Sequence, residues 1–75
     1  MVKTNSPNLF LYISHNLREG NIKDIQLNGI IAPYCEISIF HDIGSAAIGD
    51  RITILFKNRG IEIWSKASKT EWISR

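Results

Sequence analysis

Several architectures are excluded by what the chain has too little of. Its 75 residues contain one cysteine, Cys35, so no internal disulfide can form, nor any zinc site built on paired thiolates. Such sparing thiol usage suits a reducing cytoplasm. No apolar run approaches the roughly 18 residues of a membrane-spanning helix. The stretch from Leu9 to Ile13 is also too short for the apolar centre of a signal peptide. Repeats, low-complexity tracts and linkers are missing as well. A single domain over residues 1–75 is therefore expected, near the lower size limit for a fold without staples.

What is present is a globular composition, 44% apolar, which argues against disorder. Abundant isoleucine with asparagine and lysine suggests an AT-rich genome, as in phage and other mobile elements but also in many ordinary bacteria. Residues 1–5 are polar and expected to fray. Ser6-Pro7 reads as a helix start with Ser6 as N-cap, and Leu9, Ile13 and Leu17 recur every four residues up to a C-terminal Gly20. Length and caps favour helix over residues 7–19, although Leu9 to Ile13 is also rich in strand formers.

Beyond Gly20 the pattern becomes that of strands. Ile25 and Leu27 share a face, Asn28-Gly29 is a two-residue turn before Ile30-Ile31, and Pro33 ends that strand or marks a sheet edge. Cys35, Ile37 and Ile39 alternate as a further strand, with Cys35 packed as a small hydrophobe. His41 to Gly49 reads as a loop. Ile52, Ile54 and Phe56 then alternate, and Ile61 and Ile63 return to the same face after Asn58-Arg59-Gly60, which turns Trp64 outward. A turn at residues 66–69 leads into a last strand from Thr70 to Ile73. The expected fold is α+β: an N-terminal helix packed on a small antiparallel sheet, or partly open β-barrel, of about five short strands.

No catalytic constellation emerges, so an enzyme is not expected, nor a cofactor or a metal. His41-Asp42 could contribute a general base for Ser38 or Ser45, but adjacent residues in an extended segment point apart. His15 lacks partners at ligand spacing. Gly44 and Gly49 lack the lysine of a phosphate loop.

Charge is uneven. Lys3, Arg18 and Lys23 against Glu19, Asp24, Glu36, Asp42 and Asp50 leave the first 50 residues at −2. Arg51, Lys57, Arg59, Lys66, Lys69 and Arg75 against Glu62 and Glu71 bring residues 51–75 to +4. With Trp64 outward among basic neighbours, the leading expectation is a protein-binding module, such as a phage-type accessory or inhibitory protein docking on a larger complex. Trp64, Arg59, Lys57 and Tyr34 would make the contact. The alternative is RNA or DNA binding through Arg51, Lys66, Lys69 and Arg75. An open edge at Thr70 to Arg75 would also favour a homodimer, with Trp72 and Ile73 in or beside its interface.

Residues 39–75 resemble the carbon storage regulator family of small RNA-binding proteins. The resemblance lies in Ile43-Gly44, in Ile48-Gly49-Asp50-Arg51-Ile52-Thr53-Ile54, and in the order of Ala67, Lys69, Ile73 and Arg75. It implies an interlocked dimeric β-sheet that binds GGA-containing messenger RNA loops, with Arg75 as the RNA-contacting arginine. His41-Asp42 stand where that family has paired arginines, and its C-terminal helix has no counterpart here.

Overall fold

The computed structural model describes residues 1–32 and 35–74. In chain order the elements are β1 (Val2–Asn5), α1 (Ser6–Arg18), β2 (Ile22–Leu27), β3 (Ile30–Ile31), α2 (Glu36–Ser45), β4 (Arg51–Phe56), β5 (Ile61–Lys66) and β6 (Glu71–Ser74). The fold is the expected α+β arrangement, an N-terminal helix against an antiparallel sheet. The sheet is open and has six strands in the order β1-β6-β5-β4-β2-β3.

Helix α1 forms because its apolar residues recur at helical spacing and both ends are capped. The N-cap is Asn5, one residue before the expected Ser6, and its side-chain oxygen accepts from the Asn8 N–H at 2.8 Å. Gly20, at φ +73°, closes the other end, where the Gly20 and Asn21 N–H groups bond to the carbonyls of Leu17 and Asn16. Leu9 and Ile13 are fully buried.

The second helix is a correction. Residues 36–40, expected as a strand, belong to α2. Ile39 fits a period of two, but it also stands four residues before Ile43, and both are buried. Beneath them lie Ile25, Leu27 and Ile52, so burying two isoleucines together on the sheet outweighs the β-propensity of the segment. Cys35 is the N-cap residue of this helix and exposed, not a core residue. The helices lie side by side. Ser14 donates to Glu36 at 2.6 Å, Arg18 pairs with the same carboxylate at 2.8 Å, and Phe10 meets Phe40 edge-to-face at 5.1 Å.

The chain termini are also placed differently from expectation. Residues 2–5 are not frayed: they form β1, which pairs with β6 from Val2↔Ser74 to Asn5↔Glu71. The last strand is therefore interior, between β1 and β5, and the sheet edges are β1 and β3. The Pro33 expectation lies outside the described residues. No helix is long and apolar enough to cross a membrane among the described residues.

Candidate functional site

One register decides which residues the molecule offers to its surroundings. Leu55 pairs with Ile61, Ile54 with Glu62 and Ile52 with Trp64. Since the inward set on β4 is Ile52, Ile54 and Phe56, as expected, the inward set on β5 is Glu62, Trp64 and Lys66. Ile61 and Ile63 were expected in the core. Instead they face out, with 63% and 47% of their surface exposed. A one-residue slip would exchange the two sets. It would also expel Trp64, and indoles bury more area than isoleucines do.

Both helices pack on the inward face, and among the described residues no element covers the other. Across it, Lys3 pairs with Ile73, Ile73 with Ser65 and Ser65 with Arg51. In neighbouring rows Ile63 stands opposite Thr53 and Ile61 opposite Leu55. The result is an aliphatic strip of Leu55, Ile61, Ile63 and Ile73, with Lys3 and Arg51 at its two sides. Ile61, Ile63 and Ile73 of this strip line an open depression together with Met1, Gly49, Arg51, Ser65 and Ala67.

Most of the expected contact residues lie elsewhere. Trp64 is 6% exposed and points inward, its ring 6.3 Å from that of Tyr12 and its Nε1–H donated to Glu62 at 3.2 Å. Arg59, in the β4–β5 turn, folds back over the Phe56 ring at 4.1 Å and donates to Tyr12 Oη and Asn16 Oδ1. Lys57 is exposed beside it. These three do not make one surface, and Tyr34 lies outside the described residues.

The alternative basic set is also divided. Arg51 and Lys69 are exposed, but Lys66 is 6% exposed, its Nζ donating to the Ala46 carbonyl at 2.6 Å. Arg75 lies outside the described residues. Trp72, expected in or beside a dimer interface, is fully buried within the chain, with its Nε1–H on Ser6 Oγ at 3.0 Å. Its neighbour Ile73 lies on the opposite, uncovered face.

The remaining candidate chemistry is dispersed. His41 is exposed on α2, where its carbonyl accepts from Ser45 Oγ at 2.8 Å, and His15 is exposed on α1. The Cys35 thiol is held below its ordinary pKa by the backbone N–H groups of Ser38 and then Ile37. Glu36 lies below the usual carboxylate range because Arg18 and then Ser14 donate to it.

Sequence reasoning missed one cluster under the inward face. Tyr12 Oη donates to both Glu62 oxygens, at 2.9 and 2.8 Å, and accepts from Arg59 at 3.2 Å. Burial, then the bond to Glu62, raises the tyrosine pKa above its ordinary value. Tyr12, Glu62 and Trp64 are distant or alternating in the chain, and only the hairpin register and the packing of α1 bring them together. Compared with family models, curated proteins and solved structures, the chain matches none.

Proposed function

We propose that this protein is a small non-catalytic binding module that docks on a larger protein through the uncovered face of its sheet. The observation that carries this reading is the aliphatic strip, above all Ile61 and Ile63, on a face that no helix covers. The solvated face of an antiparallel sheet ordinarily alternates to polar residues, and a contiguous aliphatic patch on a small domain is a mark of an interaction surface. The partner surface that fits is itself aliphatic, with carboxylates to meet Lys3 and Arg51. Neither cation makes an ion pair with a described residue. By register they are three strands apart, roughly 14 Å at the usual strand spacing. An accessory or inhibitory role suits a module this small.

The test is differential capture. Ile61→Lys and Ile63→Lys are expected to keep the fold by circular dichroism and to lose a stoichiometric partner that the unaltered protein retains from the same lysate. Equal capture by both variants overturns the reading. So does light scattering at low micromolar concentration that shows a dimer which Ile63→Lys dissociates, because the strip would then be closed by a second copy.

A further inference from the structure

The uncovered strip leaves the Tyr12–Glu62–Trp64 cluster without a role. A cavity of about 480 Å³ opens beside it on the helix-covered side, lined by Val2, Lys3, Thr4, Leu9, Tyr12, Glu62, Trp64 and Ser74. That volume is within the range of small-molecule sites. The Tyr12 and Trp64 rings stand at 64° to one another and form a corner of the wall. Val2 and Thr4 add apolar surface in front of the fully buried Leu9.

The two donors to Glu62 are neutral, the Tyr12 hydroxyl and the Trp64 indole, and it makes no ion pair with a described residue. The Arg59 guanidinium reaches the tyrosine oxygen instead and stands 6.0 Å from the centroid of the Tyr12 ring, one hydrogen bond removed from the carboxylate, so the ring face left for a ligand is the one away from Arg59. Lys3 borders the cavity from β1, but its register partner Ile73 belongs to the opposite face. A carboxylate at the foot of two aromatic rings is the arrangement that binds an alkylated ammonium: the rings offer their negative faces and the carboxylate a counter-charge, with no demand for a hydrogen bond. From this we infer that the cavity is a binding site for an organic cation of the methylated-ammonium class. The site lies on the other side of the sheet from the docking face, shares only Lys3 with its border and does not depend on it.

Two sources share that chemistry, a free small amine and a methylated lysine side chain. Choline and N-acetyl-trimethyllysine amide are therefore both titrated into the unaltered protein. The readouts are calorimetry and the ¹⁵N–¹H shifts of the Trp64 indole, Thr4 and Ser74. The control is 3,3-dimethylbutan-1-ol, the uncharged isostere of choline. Saturable binding of at least one cation is expected, with shifts at those groups and about tenfold weaker binding of the isostere. A tighter choline or a tighter lysine derivative supports the site equally and identifies the source. Glu62→Gln keeps an acceptor for Tyr12 and Trp64 while removing the charge, and is expected to weaken cation binding about tenfold. If the isostere binds as well as choline, if the shifts map elsewhere, or if no cation saturates by roughly 10 mM, the inference falls. The isostere comparison needs no variant to fold.

Discussion

The two faces of β5 invert what hydropathy alone would assign. Glu62, Trp64 and Lys66 look inward, while Ile61, Ile63 and Ser65 look out. The inward set is viable because every polar atom in it has a partner. Glu62 accepts from Tyr12 and Trp64, and Lys66 donates to Ala46. Among the described residues no buried side-chain nitrogen or oxygen lacks one. A partnered polar group costs little to bury, whereas expelling an indole forfeits a large apolar area. Burial on this strand follows the register and the largest ring, not the hydropathy of each residue.

The sharpest way to break that contrast is on the inward side. Trp72→Ala removes a fully buried indole and should cost about 3–5 kcal/mol in urea denaturation, a large part of the stability of a small domain. A much smaller loss is expected for Lys66→Met, which keeps the apolar stem but leaves the Ala46 carbonyl without its donor. About 1 kcal/mol is the expected cost, and an unchanged urea midpoint would mean that this bond contributes nothing.

The helices that cover the inward face can be tested by pH. Glu36 has a depressed folded-state pKa, so its contribution is present above the usual glutamate value and is lost as pH falls through the folded one. Glu36→Gln should flatten the acid limb of a melting-temperature profile. Tyr12 is the opposite case: its raised pKa gives a contribution that is complete below the ordinary tyrosine value of 10.0 and lost as pH rises through the folded one. Tyr12→Phe should flatten the alkaline limb. The smallest effect belongs to the outer face, where Ile63→Lys should change stability by less than about 0.5 kcal/mol. A larger loss would show that the exposed strip supports the fold itself.

Elements whose signals are local were legible in the sequence. Helix α1 has caps and a four-residue period, the Asn28-Gly29 hairpin has its turn, and β4 has a clean alternation. The errors came where two periods agree with the same residues or where parity depends on a partner strand. Ile39 reads equally well with Ile37 or with Ile43, and only the sheet beneath chooses. The outward strip needed the pairing of Ile61 with Leu55, which rests on a count of turn residues that alternation along one strand cannot supply. That single parity error put Trp64 outside and Ile63 inside, and with them the expected contact surface. The Tyr12–Glu62 bond joins residues 50 positions apart, and no local pattern signals it.

The pairing of β1 with β6 has a mechanical consequence. Val2 and Ser74 are directly opposed in the first rung of an antiparallel ladder whose other rungs run inward to Asn5 and Glu71. Tension applied between residues 2 and 74 loads that rung alone, then the next, so the strands unzip one pair at a time instead of shearing together. The molecule should therefore yield at low force when pulled by these positions. The first product of yielding is a sheet with β6 as its new margin, and β1 no longer flanking the strand that carries Trp72.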